Sequence, residues 1–280
     1  MRFHSSLVLF TLVLLAALGL AGGAAADKGG PSPGVALGSP GITAADGSLR
    51  YVAMHRAGST LVRAFDRDGK AVRRGSLRGV LGIPRVAFDG TLDGLARDGR
   101  SLVLASASTV GPTSRFAVLS TRDLRARRMV TLPGIWSFDA LSPDGRKLYL
   151  VEHSRDVTYR VRAYDVMRGT LLREAVIDPR LGGRSMTGVP VTRATGPGAV
   201  WAYTLYQKPG GLPFVHALDT VRGKALCIDL PWKGNQGRLF DVRMSASGRR
   251  LVLRHVSGAH LATIDTREFM VHPHHNPLRG

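Results

Sequence analysis

Apolar and polar residues alternate along most of the chain in short runs that end at small polar turns. The stretch "FDALSPDGRKLYLVEH" (138–153) shows it best: one alternating run enters Ser-Pro-Asp-Gly and a second leaves it. A period of two puts successive side chains on opposite faces of a strand, so this stretch predicts a β-hairpin. "GITAADGSLRYVAMH" (41–55), "GLARDGRSLVLASA" (94–107) and "MSASGRRLVLRH" (244–255) share the pattern, and "RATGPGAVWAYTLY" (193–206) follows it more loosely. Their turn glycines, Gly47, Gly99, Gly145, Gly198 and Gly248, are separated by 52, 46, 53 and 50 residues. The hairpin is one copy of a repeat.

A second signature follows each copy. "TLVRAFDRDGK", "RFAVLSTRDLR", "YRVRAYDVMRGT", "FVHALDTVRGK" and "HLATIDTREF" alternate and then turn, with Asp at the corner in four of them: Asp66, Asp165, Asp219 and Asp265. An Asp side chain can bond the backbone two residues on, which suits a tight corner. A further short strand comes next: "AVRRGSL", "ARRMVTL", "LLREAVI", "ALCIDL" and the abbreviated "FMVHP". Four short antiparallel strands repeated about every 50 residues predict an all-β fold, a five-bladed β-propeller of four-stranded antiparallel blades preceded by a signal peptide. The expected divisions are a signal peptide at 1–26, a short linker at 27–33, the propeller at 34–275 and a C-terminal tail at 276–280. "PGVAL" (33–37) is the expected partner of the short last blade.

"LSPDGRKLYLVEH…YRVRAYDVMRGTLLREAVID" resembles one unit of the bacterial exported β-propellers with WD-repeat-like and YVTN-type repeats. The resemblance is good over 138–178, fair over 84–133 and 236–270, and weak over 187–231. It implies the fold and leaves the activity open, because propellers host enzymes, binders and scaffolds alike.

The first residues add a destination. Arg2 and His4 precede an apolar run from Leu7 to Leu20, and small residues ending in Ala24-Ala25-Ala26 follow. This is the layout of a secretory signal peptide, and the apolar run is shorter than the roughly 20 residues a membrane-spanning helix needs. No later segment is apolar enough to span a bilayer, so the mature chain is expected to be exported: extracellular, periplasmic or associated with the cell envelope. The single cysteine, Cys227, allows no internal disulfide, and its strand-like setting points to a small buried hydrophobe rather than a nucleophile.

Charge then suggests partners. The formal net charge is +19, and only six basic residues are Lys (28, 70, 147, 208, 224 and 233), so Arg carries nearly all of it. Such a field concentrates polyanions, although the charge is spread along the strands rather than gathered in one block. The longer Gly-rich loops 178–190, 206–213 and 231–238 are expected to share one face. They offer Arg180, Arg184, Lys208, Trp232, Lys233 and Arg238 as binding residues.

The leading reading is a non-catalytic binding or scaffold module that presents this basic face to an anionic cell-envelope polymer or an acidic protein. It needs no cofactor and is expected to act as a monomer, and a nucleic-acid ligand is not expected. The alternative is a propeller hydrolase or lactonase with a metal- or carboxylate-based site at the central channel, drawing on Asp93, Asp139, Asp241 and Arg193. His55, His153 and His255 fall at equivalent strand ends and read as hairpin caps. His272, His274 and His275 near the C-terminus are weak candidates for a metal. No P-loop, H-E-x-x-H motif or paired-cysteine metal motif is present.

Overall fold

The computed structural model describes residues 32–107, 111–154, 158–182 and 185–279, so the signal-peptide reading of 1–26 lies outside the described residues. The first strand, β1 (Val35–Ala36), precedes blade 1, which holds β2 (Ile42–Thr43), β3 (Arg50–Arg56), β4 (Ser59–Phe65) and β5 (Ala71–Arg78). Blade 2 holds β6 (Leu81–Pro84), β7 (Ser101–Ser106), β8 (Thr113–Ser120) and β9 (Ala126–Pro133), and blade 3 holds β10 (Ile135–Leu141), β11 (Lys147–His153), β12 (Tyr159–Asp165) and β13 (Thr170–Val176). Blade 4 comprises β14 (Val189–Thr195), β15 (Trp201–Gln207), β16 (Phe214–Asp219) and β17 (Lys224–Asp229). Blade 5 comprises β18 (Val242–Ser247), β19 (Arg250–His255), β20 (His260–Asp265) and β21 (Val271–Pro273). Every pairing is antiparallel, and each blade runs in chain order, the arrangement of a five-bladed propeller.

The turn chemistry matches the sequence expectation. All five turn glycines adopt positive φ, between 55° and 71°, a region that strains any residue with a Cβ. At the second corner, Asp66, Asp165, Asp219 and Asp265 each accept a backbone N–H from two to four residues further on.

The ends of the chain depart from expectation. β1, from the "PGVAL" segment, does not complete the last blade; it pairs with β6 and makes blade 2 five-stranded. Blade 5 has no need of it, because β21 pairs with β20 and supplies the fourth strand from the same stretch of chain. The C-terminal tail is also docked. Leu278 is buried in the core of blades 4 and 5, its carbonyl accepts from Asn235 N–H, and the Asn276 side chain donates to the Lys233 carbonyl.

Blade 2 carries an insertion. After Pro84 the chain leaves the sheet as a small hairpin, with Arg85 paired to Leu92, and rejoins at Gly94–Ala96 to pair with β7. The hairpin tip reaches blade 4, where Phe88 and Asp89 N–H groups donate to the carbonyls of Pro190 and Val191 at 3.0 Å each. A register shift in β14 between Pro190 and Thr192 leaves those carbonyls available to it.

Apolar clusters fill the spaces between blades 1 and 2, 2 and 3, 3 and 4, and 4 and 5. Close approach matters here: a Cβ on Gly75 of β5 would fall 2.5 Å from the Leu124 carbonyl oxygen of blade 2. Buried hydroxyls serve the links between blades. Thr60 Oγ1 donates to the Gly79 carbonyl and accepts from Leu81 N–H, and Ser114 does the same for Gly134 and Trp136. Thr60 is fully buried, so removing its hydroxyl strands a buried donor and acceptor. Thr60→Val is therefore expected to cost roughly 2 kcal/mol in urea unfolding, while Thr60→Ser stays close to the parent. Equal stability of the two variants would show that the hydroxyl is not what holds the link.

Candidate functional site

The axis holds the most buried charge. Arg193, on β14, is 5% exposed and projects between Asp139 of β10 and Asp93, which lies just past the inserted hairpin. Its Nη1 donates to Asp139 Oδ1 at 2.7 Å and to Thr204 Oγ1 at 2.9 Å, and its Nη2 donates to the Asp139 carbonyl at 2.8 Å. Asp93 Oδ2 lies 3.6 Å from Nη2. Burial works against the Arg193 charge, yet Asp139 and Asp93 outweigh it and its pKa is raised. Burial raises the Asp93 carboxyl above its ordinary value even against the pull of Arg193. Three of the four residues of the channel reading thus meet. The fourth, Asp241, is exposed at the end of a 3-10 turn leading into β18 and is not part of this cluster.

This geometry is a lock rather than an open acid–base site. The guanidinium already occupies the point where the carboxylates converge, and Asp139 is 4% exposed. Only Asp93 reaches a solvent-facing cavity, a mouth cleft of about 460 Å³. Residues of all five blades line that cleft, including Thr43, Ala96, Leu141, Gly196 and Ala246. Towards the other face, Val86 of the hairpin and Pro33 close over Asp139 and Tyr206, leaving only a small void.

The Gly-rich loop face is less available than its sequence suggests. Trp232 is 1% exposed and belongs to the core between blades 4 and 5, so it presents no aromatic surface. Its neighbours Pro231 and Lys233 are exposed, and their polarity hides the alternation that would have marked Trp232 as buried. Arg180 is held by a two-pronged contact with Asp178 and by the Cys227 carbonyl at 2.7 Å. Lys208 lies over the Phe214 ring and lines a cleft of about 280 Å³ whose two acids, Asp178 and Asp229, balance its charge and that of Arg180. Lys233 and Arg238 are exposed, and Arg184 lies outside the described residues.

The histidines and the cysteine behave as structural groups. His55 Nε2 accepts from Gly58 N–H, and His255 Nδ1 meets the Ser257 hydroxyl, so both cap their own hairpins. His153 instead meets Ser137 Oγ at 2.8 Å, and burial pushes its imidazole down to about 4. Glu152 pairs with Arg162 at 3.1 Å. His272, His274 and His275 are exposed, His274 packs against the ring of His260, and no group of three metal-ligating side chains forms among the described residues. Burial pushes the Cys227 thiol up to about 12, which leaves it protonated and unreactive at neutral pH.

Sequence reasoning missed two features. Thr204 completes the axial lock, and its place follows only from the pairing of Arg193 with Thr204 across β14 and β15. Arginines on the outward faces of blades 1 and 5 were also missed. The signal for the blade 5 set lay in the residues that flank a shared Leu-Val-Leu: arginines in "RLVLRH" of β19, small residues in "SLVLAS" of β7.

No family model matches the chain, and no curated protein matches it by sequence. Among solved structures, it is similar to hydrazine synthase of Kuenenia stuttgartiensis, with a TM-score of 0.50 and 14% identity over 82% of this chain and 64% of that one. It is also similar to the β-propeller domain of Myceliophteria thermophila Swd1 (TM-score 0.46, 11% identity, 81% of this chain and 64% of that one). TolB of Acinetobacter baumannii gives a TM-score of 0.39 at 13% identity, over 80% of this chain and 56% of that one. The chain spans about two thirds or less of each of these proteins, and at such identities the likeness concerns the fold alone. No helix among the described residues is long and apolar enough to cross a membrane.

Two expected outcomes follow from the axis. Arg193→Met leaves two carboxylates buried without their cation and is expected to cost about 3–5 kcal/mol in urea unfolding. Arg193→Lys should recover only part of this, because one ammonium cannot reach Asp139, Thr204 and Asp93 together. Recovery by Lys to the parent value would reduce the lock to simple charge pairing. For His153 the folded pKa lies below the unfolded one, so the unfolded chain takes up the extra proton between about pH 6.5 and 4. Stability is expected to fall as pH drops through that window, and less so in His153→Gln; identical urea midpoints against pH in the two proteins would refute this.

Proposed function

We propose that the chain is an exported, non-catalytic binding module that holds an anionic cell-envelope polymer or an acidic partner on its arginine-rich surface. The observation that carries this reading is a contrast between two sets of charges. At the axis each buried charge has an opposite charge beside it, with Arg193 between Asp139 and Asp93. Many of the exposed arginines, which make up most of the +19, have no acid beside them among the described residues. A surface of this kind attracts anions over long range and holds them by displacing their counterions.

The leader-like residues at the N-terminus support export. The hydrolase or lactonase alternative rests on Asp93 alone among the channel acids, since Asp139 is sealed in and Asp241 stands apart. Asp93 is itself held by Arg193 and by the backbone N–H of Gly94 at 2.6 Å.

Co-sedimentation of the full chain with anionic cell-envelope material over a salt series tests the reading. Binding is expected at low salt and should weaken steeply as salt rises, because each neutralised charge adds to the slope. Asp93→Asn is expected to leave it unchanged. An absence of binding at low salt would overturn the proposal.

A further inference from the structure

The five blades are not equally covered. In blades 2, 3 and 4 the second strands β7, β11 and β15 are buried on both faces along their central residues. In blade 5 the second strand β19 is buried on one face only, with Leu251 and Leu253 inside and Arg250 and Arg254 exposed. In blade 1 the second strand β3 is buried on both faces at Tyr51, Val52 and Ala53, and it is the third strand β4 that is one-sided: Val62 and Ala64 face blade 2, while Arg63 on the other face is exposed. No apolar cluster joins blade 5 to blade 1 among the described residues. At the axis, however, both blades line the mouth cleft through Thr43 and Ala246. Their outward faces therefore flank a seam that starts at the axis and that, beyond the buried Val52 of β3, no apolar cluster fills among the described residues.

Both faces of this seam carry arginines in direct cross-strand register. Arg63 of β4 stands opposite Arg74 of β5, and Arg243 of β18 stands opposite Arg254 of β19. Directly opposed residues share a face about 5 Å apart, and like charges placed so are destabilising. Arg78 extends the first array along its strand, and Arg250 extends the second, where it stands opposite Asp265 of β20. None of these six has a carboxylate within 4.0 Å among the described residues, whereas Arg146, Arg162, Arg168 and Arg222 of blades 3 and 4 all do. Arg243 and Arg254 donate to backbone carbonyls of Phe240, Val242 and Gly258, which orients the guanidinium groups without neutralising them. The seam thus maintains two uncompensated like-charge pairs, a cost that an anion between them would reverse.

We propose that this seam is the binding site of the module and that it takes a linear polymer bearing a phosphate at each repeat. The inference rests on the anion-binding reading above and assigns it a place and a ligand class. A guanidinium presents a planar fork that matches phosphate oxygens two at a time, so arginine arrays suit this ligand better than lysine would. Exposed serines stand between the arginines: Ser76 beside Arg74 and Arg78, and Ser245 and Ser247 between Arg243 and Arg250. Their small side chains leave room at the sheet surface, and their hydroxyls donate to phosphate oxygen. A flexible chain can neutralise both faces at once, whereas a folded acidic protein would need a wedge shaped to fit between them.

Fluorescence anisotropy with labelled long-chain inorganic polyphosphate, using the full chain, tests the assignment. Three double variants each remove two positive charges: Arg63→Gln with Arg74→Gln, Arg243→Gln with Arg254→Gln, and Lys208→Gln with Lys233→Gln on the loop face. Each arginine pair is expected to weaken polyphosphate binding about tenfold, and the lysine pair to leave it nearly unchanged. Relief of like-charge repulsion should leave the arginine variants at least as stable as the parent in urea, which separates lost binding from lost fold. Orthophosphate at equal phosphate concentration should compete poorly. Equal losses in all three variants, or loss in the lysine pair alone, would overturn the seam while leaving the anion-binding module standing. Tighter binding of poly-glutamate through the same arginines would replace the polymer with an acidic protein. No binding of any polyanion at low salt would overturn both proposals.

Discussion

One guanidinium organises the centre of this molecule. Arg193 is donated by blade 4, its main carboxylate by blade 3, and its second carboxylate by the end of the blade 2 insertion. Three blades are therefore tied at one point on the axis. A buried charge is costly unless its donors are met, and here Thr204 and the Asp139 carbonyl take Nη protons that the carboxylates do not, while Arg193 Nε and Asp139 Oδ2 are buried without a hydrogen-bond partner. The inserted hairpin depends on the same point, since it departs from β6 and ends at Asp93 after crossing to β14. With the axis occupied by its own side chains and backbone, the protein has its remaining freedom at the rim and on the outward faces of its end blades.

Much of this was legible in the chain and some was not, for reasons that differ by element. The period of about 50 residues and the five turn glycines follow from local chemistry, because a positive φ and an Asp corner are properties of a few adjacent residues. The meeting of Asp93, Asp139 and Arg193 was accessible as a set of inner-strand polar residues. Asp241 was wrongly grouped with them, because a 3-10 turn shifts it off the strand. Trp232 illustrates the opposite error: flanked by Pro231 and Lys233 in a Gly-rich loop, it has the sequence setting of a surface aromatic, yet it fills the space under the docked C-terminus. Long-range destinations such as the pairing of β1 with β6, or of the hairpin tip with β14, leave no local trace.

The buried hydroxyls show how a repeat without disulfides holds its links. Thr60 and Ser114 occupy matching positions in successive blades and satisfy the backbone just before and just after the crossing to the next inner strand. At the opposite face Arg73 of blade 1 donates to the Thr121 carbonyl of blade 2, and the Tyr149 hydroxyl of blade 3 donates to the Thr220 carbonyl of blade 4. Adjacent blades are joined by these specific polar contacts as well as by their apolar clusters, which fixes how one sheet is placed on the next.

The terminal blades lend themselves to a different comparison. Each is made from a single contiguous stretch, β2 to β5 and β18 to β21, and neither borrows a strand from the other end. Among the described residues, then, no exchange of strands joins the last blade to the first. Stacks of repeats lose their outermost units first, because those have one neighbour instead of two. The ends differ in their fastenings: the last blade is pinned by Leu278 beneath Asn235, while the segment leading into the first blade is held on blade 2 by the pairing of β1 with β6. A pull on the two termini would thus load the β1–β6 pairing in blade 2 and the docked tail beneath Asn235 before it reached the strands of either terminal blade.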